Sequence, residues 1–399
     1  MRYYNNKPHF IIKKELQKSS ITGIYFSDVI TKEVLKDVCF KITNEDDFTY
    51  EFVDNDFEDE IIQKSYNKGR LAVLFFKDEV SFISFSEKDI AGRNSGIQSV
   101  PTAYNTFYNC TCEKKKLYYY FIHETGNAET DYYLLIYRLM MTVGFKFLNL
   151  EKLDNKIYPF TSIDDILYTR KNNSSKNSSN NSTYITKSGY RDFDIYGKTY
   201  GANKYETTMF CYAISKLSVN NENITLYEVL EKDLKELPQP CLDVIKQMGK
   251  IKVVATDMTL EKKAFVENDS LRSPRYIYNL LDRLGRKKCA FCDCEIPELI
   301  QGAHIWPVSN IKKNDLMSQE EKLACATDGN NGLWLCENHH KMFDENLLMI
   351  NNKGTIIFNS SLNINDLNFV QRITTKYKLS EDLMTEQFIK YLSFRNQLI

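Results

Sequence analysis

Cysteine and histidine are unevenly spread along this 399-residue chain. Five of its ten cysteines and three of its five histidines fall between Cys289 and His340. Clustered thiols in a reducing compartment point to metal before disulfide. Cys289 and Cys292 have knuckle spacing, in which two thiolates from one tight turn reach one ion. Cys336 and His339 repeat that gap after 43 intervening residues, and the four make a tetrahedral set for structural zinc. Cys294 and Cys325 have no ligand left to pair with and read as small hydrophobes. His339 and His340 are adjacent, and on a helix successive side chains diverge by about 100°. They must serve different sites. With His339 assigned to zinc, His340 points elsewhere, and Asp344 lies one turn on along the same face. Such an i, i+4 pair is half a shell for a hard divalent cation such as Mg2+ or Mn2+.

The rest of the composition limits the alternatives. The chain is long enough for two or three domains with cores of their own. Lysine and arginine total 52 against 53 acids, so no global basic field attracts nucleic acid and any such contact must be local. A local run does exist, with Arg272, Arg275, Arg283, Arg286, Lys287 and Lys288 set against Asp282 alone just before the knuckle. Its position assigns it to phosphate contacts. No run of about eighteen apolar residues appears, and MRYYNNKPHF lacks the apolar core of an export signal. The expectation is a cytoplasmic protein without a membrane segment.

The chain divides into five stretches: an α/β region over 1–170, an Asn/Ser-rich linker over 171–183, a second region over 184–268, the metal-bearing region over 269–360 and a helical extension over 361–399. LAVLFF and VSFISFS around KDE predict a hairpin, and KLYYYFIHE another strand. TDYYLLIYRLMMTVG predicts a helix apolar all round, hence buried, capped by Thr130 and ended by Gly144. IYGKTYGANKYETTMFCYAISKL predicts strand, turn and helix. Gly197, Lys198 and Thr199 resemble the end of a phosphate loop, but Asp192 stands where its first glycine would be, which rejects it. Asp89, Glu113 and Lys115 are assigned to the surface rather than to a second nuclease centre. Ser273-Pro274 caps a helix, RYIYNLLDRL, that Gly285 ends.

The segments CAFCDCEIPELIQGAHIWPVS and NGLWLCENHHKMFDENLLMI resemble the HNH nuclease module, in the branch common among restriction endonucleases, over roughly residues 285–360. The resemblance implies an α+β protein in which a mixed N-terminal recognition region precedes a zinc-stapled ββα-metal domain, a β-hairpin and helix around one catalytic metal. It makes His304 the general base, Asn331 the residue that orients it, and His340 the metal ligand, with Asp344 a further ligand. A neutral imidazole suits the base role at physiological pH. Many members carry Asp or His just before the base, whereas this chain has Ala303. Trp306 and Trp334 read as packing around the hairpin.

A large accessory region beside a small nuclease module implies targeting. The resulting expectation is a type II restriction endonuclease cutting double-stranded DNA as a homodimer on a palindrome, with a companion DNA methyltransferase for protection. Two other readings stand beside it: a modification-dependent HNH nuclease whose aromatic N-terminal region holds a modified base, and a non-catalytic zinc-containing DNA-binding protein, for which Ala303 is the support.

Overall fold

The computed structural model describes residues 6–13, 30–54, 57–62, 71–86, 99–122, 131–153, 156–170, 182–199, 201, 203–219, 221–230, 237–256, 261, 263, 265–266 and 273–397. Outside them lie Asp89, Thr130, Arg272 and the 171–183 tract except Ser182 and Thr183. The fold is α+β, and the chain forms two compact units. One comprises Met1–Thr169, Lys198–Asn220 and Lys235–Lys252, the other Arg170–Gly197, Asn221–Leu234 and Val253–Ile399. The 184–268 stretch is shared between them, and 361–397 belongs with the second.

The first unit is built on a six-stranded sheet in the order β2-β1-β3-β4-β5-β6, from β1 (His9–Lys13), β2 (Thr49–Val53), β3 (Leu71–Phe76), β4 (Glu79–Phe85), β5 (Lys115–Tyr120) and β6 (Lys146–Phe147). The β3–β4 hairpin turns on Lys77 at φ +54°. Near-continuous apolar runs in β3 and β4 require cover on both faces, and helices supply it. The helix Lys32–Thr43 lays Leu35, Val38 and Cys39 against Phe10, Ile12, Leu74 and Phe85. On the opposite face Phe107 of the helix Val100–Asn109 meets Phe82, and Tyr137 of the helix Asp131–Val143 meets Tyr119. That second helix is buried along most of its length, as its all-apolar sequence predicts, and Gly144 follows it at φ +112°. The helix Asn203–Leu217 is buried likewise.

In the second unit, β7 (Thr183–Gly189), β8 (Asp192–Gly197), β9 (Asn223–Val229) and β10 (Ile251–Thr256) form a sheet ordered β10-β9-β8-β7. Asp192 opens β8 and accepts a hydrogen bond from Asn223 at 2.7 Å, so a strand start stands where a phosphate loop would need glycine. The helix Pro274–Leu284 lies on this sheet: Tyr184 packs edge-on against Tyr278 and donates to Asp282 at 2.6 Å. Ser273 caps the helix by accepting from Arg275 N and Tyr276 N, and Gly285 ends it at φ +73°. Its other side meets the hairpin of β11 (Ile300–His304) and β12 (Gly332–Cys336), which runs directly into the helix Glu337–Asp344. A small hairpin of β13 (Leu348–Ile350) and β14 (Ile356–Phe358) follows, then the helices Ile364–Ile373 and Glu386–Asn396. These last helices share one core with the β11–β12 hairpin through Val370, Phe388, Tyr391 and Leu392. Trp306 stacks into that core against Phe394 at 4.6 Å, the packing role its sequence context predicts.

Candidate active site and metal centre

The side-chain donors of Cys289, Cys292, Cys336 and His339 all lie within 4.8 Å of one another. Among the described residues this is the one group of three or more metal-ligating side chains that converges. A tetrahedral ion with Zn–S bonds of about 2.3 Å spaces its sulfurs about 3.8 Å apart, and Cys292 Sγ to Cys336 Sγ is 3.9 Å. Hydrogen bonding settles which ring nitrogen of His339 faces the thiols. The single proton of the Thr374 hydroxyl goes to Val370 O at 2.8 Å, so its oxygen accepts from His339 Nε2, 3.1 Å away. The neutral ring therefore keeps its lone pair on Nδ1, which lies 3.1 Å from Cys336 Sγ and 3.7 Å from Cys289 Sγ. That is the tautomer a metal requires. A hydrogen bond from Cys336 lowers the pKa of the Cys289 thiol, while Cys292, through burial, and Cys336, through its hydrogen bond to Cys289, are raised.

The knuckle is anchored from two sides. Ala290 N donates to Trp334 O on β12, while Lys376 Nζ donates to Cys292 O at 2.7 Å. The C-terminal extension thus wraps the metal frame. Cys294 and Cys325 stay out of the cluster, and none of the ten cysteines is in a disulfide.

His304 ends β11 and pairs in register with Gly332 of β12. Its ring stacks on Tyr276 with centroids 4.0 Å apart and planes 10° from parallel, and Tyr276 Oη donates to the carbonyl of Ala303 at 3.2 Å. His304 Nε2 is 2.9 Å from Ala326 O. A carbonyl can only accept, so Nε2 carries the proton and Nδ1 is left as the basic nitrogen. Half-buried against Tyr276, the ring is desolvated enough to push its pKa down to about 4, with the neighbouring charge of His340 acting in the same direction.

Asn331 is fully buried in the turn Gly329–Asn331 immediately before β12. Its Oδ1 accepts from Trp306 N at 2.7 Å, while its Nδ2 donates to Trp306 O and Cys325 O, each at 3.1 Å. One amide thereby ties the segment after His304 to the end of the helix Gln319–Thr327, whose next carbonyl, Ala326 O, holds His304. Asn331 is a positioning residue in this geometry.

The glycine of the Asn-Gly-Leu motif has a separate cause. A Cβ on Gly332 would stand 2.3 Å from Tyr276 Oη, and one on Gly302 would stand 2.5 Å from Leu280 Cδ1. Both glycines let the helix Pro274–Leu284 lie flat on the hairpin and bring Tyr276 onto His304.

The helix Glu337–Asp344 separates its two histidines as its geometry demands. His339 is buried with the thiols, and His340 lines a cleft of about 1050 Å³ together with His304 and Asp344. His340 Nε2 and Asp344 Oδ2 are 3.4 Å apart. They supply two donors of a kind a hard divalent ion accepts. Arg395, from the last helix, is buried at the same cleft. It donates to Ile305 O at 3.2 Å, to Asn346 Oδ1 at 2.9 Å and to Phe343 O, with its guanidinium 3.7 Å over the Phe343 ring. It braces the end of β11 against the end of the helix Glu337–Asp344. Burial lowers its pKa to about 10, so it is still a cation at neutral pH.

Sequence reading did not find Tyr276 or Arg395 as parts of the site. Tyr276 carries a faint signal, since it and Leu280 stand at i and i+4 on one helix face. Arg395 carries none.

The structure divides the basic run before the knuckle. Arg275 pairs with the buried Glu261 at 2.7 Å, and Arg283 donates to Gly329 O at 3.1 Å and Leu383 O at 2.7 Å, so both are turned inward. Arg286 forks onto Glu295 at 2.7 and 2.9 Å. Lys288 is exposed, and Lys287 lines the cleft.

Residues 289–351 match the family described as HNH endonuclease. No curated protein matches the chain. The matched stretch contains the Cys3His frame, the hairpin that carries His304, and the helix that carries His340, and the C-terminal region of this chain is accordingly an HNH endonuclease domain.

Proposed function

We propose that the protein is a site-specific DNA endonuclease of the type II restriction kind. The observation that carries the hydrolytic part is the tautomer of His304, whose Nε2–H is held by Ala326 O and whose Nδ1 is the basic nitrogen of a ring lining the cleft. In this reading a water attacks the scissile phosphorus as His304 Nδ1 takes its proton. His340 and Asp344 would hold a divalent ion, Mg2+ or Mn2+, which would supply positive charge beside the reacting phosphate. Ala303 offers no ligand atom to that ion. Asn331 fixes the carbonyl that orients the base, and Arg395 fixes the spacing of the two arms. The thiolates with His339 would hold Zn2+ as a staple.

Among the described residues no helix is long and apolar enough to cross a membrane. The proposal extends to a homodimer on a palindromic site, a companion methyltransferase and a cytoplasmic setting. The test is to incubate the protein with plasmid and genomic DNA in Mg2+ and sequence the ends. A single short motif at a fixed distance from every cut is the expected result. Cuts scattered without a motif would leave a nuclease but overturn the restriction reading. Cutting confined to methylated DNA would replace it with modification-dependent restriction.

A further inference from the structure

The cleft that holds His304, His340 and Asp344 continues beyond the nuclease hairpin. Its far wall is one face of the β7–β9 sheet, where Ser188, Asp194, Tyr196 and Tyr227 line the same space. Strand register creates this face: Asp194 and Tyr196 are two apart on β8 and so point the same way, and Tyr227 is the cross-strand partner of Tyr196. The two tyrosine rings stack at 5.0 Å and 14°. Tyr196 is buried beneath, and Tyr227 is partly open to the cleft.

Asp194 is the odd residue here. An acid beside a phosphodiester site repels the backbone it must approach, so Asp194 cannot serve as a phosphate contact. Burial raises its pKa, while hydrogen bonds from Ser188 and the charge of Lys287 act to keep it ionised. The Tyr196 hydroxyl is its other hydrogen-bond partner. A carboxylate offers about four acceptor sites, so two hydroxyl donors leave room for more. In the major groove the uncharged groups of DNA that donate to a carboxylate are the exocyclic amines of cytosine and adenine, the guanine amine lying in the minor groove. The aromatic face of Tyr227 beside it suits a base by stacking. Lys287 lines the same cleft, its Nζ 3.3 Å from Lys187 O on β7, where a lysine suits a neighbouring phosphate.

We propose that Asp194 and Tyr227 form a base-reading subsite, which takes an amino-bearing base, cytosine or adenine, close to the scissile phosphate, with Lys287 on an adjoining phosphate. This rests on the nuclease reading and adds to it a specificity determinant inside the C-terminal unit itself.

The experiment uses the full chain and a DNA library randomised around the cut. Wild type is expected to prefer cytosine or adenine at one fixed position near the cut by roughly tenfold or more. Asp194→Asn is expected to lose that preference at that position alone. A second arm leaves the protein untouched and removes the exocyclic amine from the preferred base in a synthetic duplex, where the rate should fall to that of a disfavoured base. A third arm selects bound DNA from the same library with His304→Ala, alone and combined with Asp194→Asn, and so reads the subsite without cleavage. If wild type cuts no DNA while the third arm still shows the Asp194-dependent preference, the nuclease reading fails and the subsite stands. An unchanged base profile in Asp194→Asn, or full-rate cutting of the amine-free duplex, overturns the subsite.

Discussion

His304 and His339 use the same device for opposite purposes. Each has Nε2 held by an oxygen, which leaves Nδ1 unprotonated. In His339 that nitrogen faces three thiols, and in His304 it is available to a proton from water. For His304, burial depresses the pKa from 6.5 to about 4, so the neutral base persists well below physiological pH. The sign is that of a group whose neutral form is favoured by folding: protonation favours the unfolded chain, and the destabilisation grows as pH falls from 6.5 towards 4 and then levels off. A pH profile of kcat/KM should accordingly show no His304 limb near 6.5 and an acid limb near 4. An acid limb at 6.5 would mean the ring is solvated in the working enzyme. At His339, Thr374→Val removes the oxygen that fixes the tautomer. Zinc affinity should fall by about 10- to 100-fold in a chelator competition, with the fold kept when zinc is in excess.

The elements around the site were legible to different degrees. Knuckle spacing, the order of His304, Asn331 and His340, and the 100° divergence of two adjacent histidines are local properties, and all were readable from the sequence. Tyr276 was not, because what makes it part of the site is the approach of its helix to a hairpin about twenty-five residues away in sequence, permitted by glycines whose motif reads as a turn. Arg395 and the Lys376 contact on the knuckle come from helices and loops read only as a tail. Arg275 and Arg283, read from the sequence as phosphate contacts, turn inward, because a run of basic residues carries no mark of which side faces the core. Gly332→Ala tests the helix-on-hairpin account. The new methyl must displace Tyr276 or shift the strand, at a cost of about 1–3 kcal/mol measured by denaturant unfolding, and cleavage should fall more than that loss of fold alone explains. Wild-type stability in this variant would show that the glycine is not there for the helix.

At the scale of the molecule, the C-terminal unit combines a metal-stapled hairpin with helices from the chain's end and a sheet drawn from residues 183–256. The two proposed metal sites would differ in ligand chemistry, thiolate with imidazole at one and imidazole with carboxylate at the other, and they should be separable. Exhaustive chelation should lower the thermal transition and abolish cutting together. Zinc alone should restore the transition, and Mg2+ or Mn2+ added afterwards should restore cutting. Recovery of both by Mg2+ alone would remove the structural-zinc role. The first unit, with its sheet covered by helices on both faces, offered the sequence reader strands and helices but no chemistry, since its aromatic residues are mostly core.

The most direct test of the central claim is cleavage of supercoiled plasmid by the zinc-loaded protein in Mg2+ or Mn2+, wild type beside His304→Ala at matched thermal stability. Metal-dependent cutting by wild type and a loss of about 10²- to 10⁴-fold in the variant is the predicted result. Equal cutting by the two proteins, or none by wild type with either ion, would contradict it.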